Sequence, residues 1–532
     1  MNNLTRRAFL SSASFAVPAL LAACGQQAGG ESSDSPKKVV RFGMGALGAP
    51  LDMQKNGMSV AGTLTDAIFE GLLTWNDDLE LVPTLLTEVP SFQADGVTLP
   101  CTLLENVRFH DGSTLTADDV KFTFERMFSP ATGAGNYANY LQIKGAPEML
   151  AGERDNLDEG IVITDDTHFS FVLSEPSATF VPSLGINYAH IFPRKACTDA
   201  GDAWGLGTSA VGTGKMRLVS NDDTTETVFE RFEGYHGEPC LIDEAHVVYY
   251  DDASTKLMAF KNGDIDWCDI GFSLYGQYKD DPDFVGNTYP YLPLGLQFVN
   301  LNLRDERLAD MRVREALSLA INRQELVDTI MDGQGQAASG FLTPQIPGFD
   351  STVDAFAYDP ARARELLAEA CPDGLTLEFR TRALFATVAE AIQGYWQQAG
   401  ITVNLQQMDN GTFMDDWAAG NIQILINGWF ADYPGADGLL SYFESENAAH
   451  HGCFYANDEF DQLMNAARTE LDADAQAELY RQADDIASRR DYAMLPILYP
   501  HYNYAAKPHV LGHKVGNMSF HVANVDVDAT EG

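Results

Sequence analysis

The chain has 532 residues, 45% of them hydrophobic, and a formal net charge of −42 from 76 acidic against 34 basic side chains. That length exceeds one compact core and implies about two or three domains, while the hydrophobic share is ordinary for a soluble globular protein. The charge speaks against nucleic acid and anionic lipid surfaces as partners, since both would repel the chain, and the acids are spread along the sequence as a solvated surface would need.

Residues 1–23 read as an export signal rather than as structure. TRRAFLSSASFAVPALLAAC carries adjacent Arg6 and Arg7, then Phe9 and Leu10, then a short apolar stretch ending in Leu21-Ala-Ala-Cys24. The arginine pair resembles a twin-arginine signal. The last four residues resemble a bacterial lipobox, in which the cysteine, here Cys24, becomes the lipidated first residue of the mature protein. An ordinary secretory signal with an incidental cysteine is the alternative. Residues 24–37 are small and polar and read as a flexible tether. No later apolar run approaches the ~20 residues that a membrane helix needs. Cys101, Cys197, Cys240, Cys268, Cys371 and Cys453 remain for the body. They are able to form disulfides in an oxidising compartment, in a pairing that spacing does not reveal, and none shows the CxxC pattern of a zinc site.

Several motifs carry less chemistry than they suggest. Gly43-Met-Gly45-Ala-Leu-Gly48 follows the strand-like KVVRF, but a dinucleotide site needs a helix to start there. Pro50 and the polar DMQKNG follow instead. Gly214-Lys215 lacks the upstream glycine of a phosphate loop, because Ser209 holds that position. There is no GxSxG elbow and no HExxH. Asp264 and Asp266 match a calcium loop poorly and read as outward acids of a surface strand. His450 and His451 are adjacent, so regular structure would point them apart and suit one metal poorly.

Regular elements are punctuated clearly. Thr116-Ala-Asp-Asp119 predicts a capping box, followed by Val120, Phe124, Met127 and Phe128 at helical spacing up to Pro130. In RVREALSLAINRQEL, residues Val313, Ala316, Leu317, Ala320 and Ile321 share one helical face. Asp359 caps a helix with Pro360 at its first position. LTLEF then predicts a strand, and ATVAEAIQGYWQQA a helix with Val388, Ile392, Tyr395, Trp396 and Ala399 on one face. ITVNLQQ and IQILI predict two more strands. Strand, covering helix and strand imply a parallel sheet, whose ligands bind beyond the carboxyl ends of the strands. NGWFADYP follows IQILI directly, so Trp429 and Asp432 are expected just past such an end. Asp432 either caps the turn before Pro434 or presents a carboxylate to a cationic ligand among aromatic rings.

The run at 107–120, VRFHDGSTLTADDV, resembles the signature of the extracellular solute-binding proteins of peptide ABC importers. DDTHFSFVLSEPSATFVPSLG, VGTGKMRLV, KLMAFKNGDIDW, DMRVREALSLAINRQEL, YDPARARELLAEA and YANDEFDQLMNAARTELD resemble further family segments in family order. The resemblance spans about residues 38–521. It implies an α/β, two-lobed periplasmic-binding-protein-like fold, with an inserted subdomain in the first lobe and a hinge of two crossover strands. By analogy the first lobe takes residues 38–69, 206–297 and 500–532, the inserted subdomain 70–205 and the second lobe 298–499. The lobes are expected to close on a ligand, with no covalent chemistry, no cofactor and no metal.

Mapped residue by residue, the resemblance makes Asp432 the counter-ion of a peptide α-ammonium and places Gly428 and Trp429 on the cleft, with Tyr433, Phe413 and Trp417 as further wall residues. Many peptide-binding members have another aromatic near Asn410-Gly411, which this chain lacks. The strand before Gly428 offers Ile426 and no basic residue for a ligand carboxylate, which speaks against a dipeptide in particular. The expected partners are a peptide or other small solute, ABC permease subunits and a membrane reached through the lipid anchor, without nucleic acid, for a monomer outside the cytoplasm. An oligosaccharide, an opine or a nickel chelate are the alternative solutes, and a secreted hydrolase is the rival from another class.

Overall fold

The computed structural model describes residues 37–57, 59–222, 224–515 and 520–528. The expected export signal, Cys24 and nearly all of the expected tether lie outside the described residues.

Among those residues, seven strands form one sheet, in the order Thr288–Tyr291, Tyr502–Ala506, Trp267–Asp269, Val39–Met44, Glu244–Tyr249, Glu226–Arg231, Met216–Asp222. Val39–Met44 runs parallel to both of its neighbours. No helix follows it until Ser59–Ile68, so the glycines after the strand lack the helix N-terminus that a dinucleotide would need. A second sheet of six strands has the order Gly335–Ala337, Met494–Pro500, Gly295–Leu301, Ile424–Phe430, Thr376–Thr381, Thr402–Gln407. Each sheet carries its own apolar core. A third, antiparallel sheet of Thr98–Thr102, His168–Val172 and Ile161–Ile163 packs with the helix Ala117–Phe128 around a separate core that includes Leu99, Phe124 and Phe171.

The polypeptide passes between the two large sheets twice. It leaves Thr288–Tyr291 for Gly295–Leu301, and it returns from Met494–Pro500 to Tyr502–Ala506 through His501 alone. The result is a two-lobed α/β fold joined by two neighbouring connections. Gly295–Leu301 and Met494–Pro500 are buried at every position, as strands covered on both faces must be. Asn503 Nδ2 donates to Gln334 Oε1 at 2.6 Å beside the second connection.

Local signals are realised where they were expected. The capping box forms, with the Thr116 amide donating to Asp119 Oδ2 at 2.9 Å. Asp359 accepts from the Arg362 amide at the start of Pro360–Ala370. Thr376–Thr381 runs parallel to both Thr402–Gln407 and Ile424–Phe430, with the helix Ala386–Gln398 between the first two in sequence. Trp396 on that helix is fully buried and donates its indole N–H to Leu317 O at 3.0 Å.

Three expectations need correction. The strand at 424 extends to Phe430, because Trp429 and Phe430 continue its ladder opposite Leu296 and Gly295; Trp429 therefore lies within the strand. Asp266 is a buried acid rather than an outward one, accepting from the Arg41 amide at 2.8 Å and facing His509 Nε2 at 3.2 Å. The six body cysteines are all unpaired, five of them buried.

Candidate functional site

The floor of the site is built by the parallel pair Thr376–Thr381 and Ile424–Phe430, which are in register through Phe379 with Ile424 and Arg380 with Leu425. Ile424, Leu425 and Ile426 are buried and fix the strand. Beyond this apolar run the chain emerges from the core. The half-buried indole of Trp429 donates to Gly438 O at 2.9 Å and meets Tyr442 edge-on at 5.0 Å. His451 closes this wall, stacked on Tyr442 at 4.1 Å and 5.0 Å from the Trp429 ring. Burial pushes its imidazole down to about 4, so the ring is neutral near pH 7. His450, next to it, is exposed.

Asp432 follows the strand and combines two properties. Its side chain is reached by solvent, yet the protein crowded around it pushes its pKa up to about 6, against the opposing pull of a hydrogen bond from Tyr188. Solvent contact together with strong desolvation describes a carboxylate on the wall of a cleft rather than on a convex surface. The Tyr188 hydroxyl donates to Oδ1 at 3.0 Å and comes from the first lobe. Tyr433 is buried and its ring lies 6.3 Å from that of Trp75, also of the first lobe, with an interplanar angle of 26°. The Ala178 amide donates to Arg468 O at 2.8 Å, and Leu79 packs on a core of the second lobe. The two lobes thus meet around Asp432.

A cation stands on the same floor. Arg382, one residue past Thr376–Thr381, donates to Asn427 Oδ1 at 2.5 Å and to Asn410 Oδ1 at 2.9 Å. Its guanidinium lies over the Phe413 ring at 4.9 Å. It is half-buried, its Nε has no hydrogen-bond partner, and among the described residues no carboxylate pairs with it. Burial lowers its pKa below the usual arginine range.

The structure places the remaining expected residues as follows. Gly428 is half-buried opposite Gln297, and a Cβ there would stand 3.1 Å from the Phe430 ring. Phe413 is 0% exposed, so it supports Arg382 from below instead of forming wall surface. Trp417 is half-buried and donates to His451 O at 2.7 Å, which braces the aromatic wall from behind. Among the described residues no cluster of three or more His, Cys, Asp or Glu side chains is arranged to hold a metal ion.

Sequence reasoning did not find Arg382, Trp75 or Tyr188, and it raised His451 only as one of two histidines that a loop could bring to a cleft for a metal chelate. Arg382 had a signal, since it too follows the carboxyl end of a predicted parallel strand. Tyr188 had none, being 244 positions from Asp432.

The family described as "Bacterial extracellular solute-binding proteins, family 5 Middle" matches residues 80–450. A periplasmic oligopeptide-binding protein, OppA of Haemophilus influenzae, is 26% identical over 480 residues, covering 86% of this chain and 87% of the relative. A probable deoxycholate-binding periplasmic protein, YgiS of Escherichia coli, is 26% identical over 508 residues, covering 91% and 92%. The crystal structure of Haemophilus influenzae OppA in complex with RPPGFSPFR superposes with a TM-score of 0.78 at 23% identity, covering 93% of this chain and 99% of that one. That last likeness is one of fold.

Proposed function

Since the chain belongs to the bacterial extracellular solute-binding proteins of family 5, we propose that it captures short peptides between its lobes and delivers them to an ABC permease. Members of this family are binding proteins of transporters and not enzymes. On this reading the protein acts as a monomer outside the cytoplasm, tethered by lipid on Cys24 after export through the twin-arginine signal. The lobe boundaries follow the two sheets, with residues 70–205 as the inserted subdomain and the second lobe close to 298–499.

One observation carries the choice of a peptide: an anion and a cation, each without an opposite charge of its own, stand on one cleft floor. Among the described residues, Asp432 has a solvent-reached carboxylate with no cationic partner, and Arg382 has a guanidinium with no carboxylate. Asn427, which holds Arg382, precedes Asp432 by five residues, a span of at most ~17 Å along extended chain. A zwitterion a few residues long satisfies both ends, its ammonium at Asp432 and its carboxylate at Arg382. A neutral sugar satisfies neither. An ammonium ~4 Å from a carboxylate gains on the order of 4 kcal/mol at an intermediate effective dielectric, less the desolvation cost and the screening by water that reaches Asp432. Trp429, Tyr433, Trp75 and His451 exclude water and contact side chains without specifying them.

Calorimetry with unblocked, N-acetylated and C-amidated tripeptides on the wild type and Asp432→Asn tests this reading. N-acetylation of the ligand and the substitution are each expected to cost at least about tenfold in affinity, with little further loss when combined. Equal binding of amine-bearing ligands by both proteins would show that Asp432 is not the anchor.

A further inference from the structure

Tyr188 lies in the single 3-10 turn Asn187–Ala189. Its ring is half-buried and packs against both the first-lobe core and the core of the inserted subdomain. From there its hydroxyl crosses to the second lobe and donates to Asp432 Oδ1 at 3.0 Å. Among the described residues no other donor reaches Asp432, so Oδ2 is open. The phenol oxygen, having given its one proton, keeps lone pairs that accept hydrogen bonds.

Gly57 and Asn136 lie beside the Tyr188 hydroxyl. A Cβ added to Gly57 would stand 3.7 Å from the Tyr188 oxygen and 3.7 Å from Asn136 Nδ2, one N–H of which donates to Met53 O at 2.7 Å. Tyr140 lies beneath, fully buried, with its hydroxyl committed to Ser183 O at 2.9 Å. Among the described residues, the titratable groups that interact with Asp432 are the three phenols Tyr188, Tyr140 and Tyr433, with no cation among them.

We infer that Tyr188 is a positioning residue that couples capture of an ammonium by Asp432 to closure of the lobes: its hydroxyl holds Oδ1, and its oxygen accepts from the same ammonium that donates to Oδ2. This rests on the reading of Asp432 as the ammonium anchor and adds a second acceptor from the opposite lobe. The physical need is differential affinity. A carboxylate on one lobe serves the open and closed forms alike, so by itself it shifts no equilibrium. An acceptor that reaches the ammonium only when the lobes meet supplies the difference. The arrangement also selects cations that carry N–H bonds, because a quaternary ammonium donates to neither oxygen.

Tyr188→Phe removes the hydroxyl and keeps the ring with its packing. The probes are an unblocked tripeptide library and the same library trimethylated at the amino terminus, titrated calorimetrically from about pH 5 to 7, below the usual α-amino pKa of about 8. Wild-type affinity for the unblocked peptides is expected to fall as the pH drops through about 6, where Asp432 takes up its proton. In the variant, affinity at the upper end of the range falls about tenfold, and the preference for unblocked over trimethylated peptides narrows. An unchanged preference for unblocked over trimethylated peptides overturns the proposal whatever the affinity does, because a role in packing alone costs both libraries alike. Asp432→Asn separates the two levels. If it binds unblocked peptides as the wild type does, the anchor reading fails; if it loses them while Tyr188→Phe keeps the wild-type preference for unblocked over trimethylated peptides, the Tyr188 proposal alone fails. A library in which nothing binds removes both.

Discussion

At the scale of single residues, charge without a partner is the informative quantity. The chain carries 76 acids, and most of them face solvent. Asp432 differs in being both reached by water and raised to about 6. Its position was legible, because the rule that ligands gather beyond the carboxyl ends of parallel strands needs only the strand pattern. Arg382 follows the same rule, yet the search for a ligand carboxylate's partner looked along Asp432's own strand, where Ile426 stands, and not along its neighbour. The account predicts that Arg382→Gln weakens peptides with a free carboxylate about tenfold or more and leaves C-amidated peptides within about twofold, read by calorimetry. Equal losses for the two ligand sets would detach Arg382 from the carboxylate. His451 adds no competing titration between about pH 5 and 8, since its imidazole is already neutral there, with a pKa of about 4.

At the scale of elements, what the sequence made visible was local. The capping box at Thr116, the Asp359 cap and the spacing of Val388, Ile392, Tyr395 and Trp396 each depend on residues within one or two turns, and each forms as read. What it hid was pairing across long separations. The strand at 424 runs on through Trp429 and Phe430 because Gly295–Leu301 lies beside it, and no pattern near Trp429 announces a partner so far back. Asp266 was misread for a similar reason, since the Arg41 amide and His509 that engage it lie far away in sequence. The helix Ala386–Gln398 anchors this floor through Trp396, which is 0% exposed and bonded to Leu317 O. Trp396→Ala is expected to destabilise the protein by ~3–5 kcal/mol, from lost burial and the cavity left behind. Denaturant unfolding checks this, and a loss under ~1 kcal/mol would mean that the helix is held mainly by other contacts.

At the scale of the whole molecule, two sheets with separate cores are joined by two short connections, and the lobes touch through Tyr188 with Asp432, Trp75 with Tyr433 and Ala178 with Arg468, and also through the ion pair of Lys279 with Asp332. Two cores and two connections permit one lobe to move against the other as a body, and a ligand that touches both lobes favours the closed arrangement by the difference it makes. The two-lobed plan was legible through the order of family-like segments, whereas the particular first-lobe residues at the cleft were not, since they are set by how the inserted subdomain docks. The central claim is that this cleft holds a peptide by its charged ends. Native mass spectrometry of the freshly purified protein tests it most directly. The account predicts a bound mass in about one-to-one proportion that is released and fragments as unmodified peptide, and that is lost from Asp432→Asn. A bound mass that fragments as a sterol acid, a sugar or a metal chelate, or a peptide retained equally by Asp432→Asn, would contradict it.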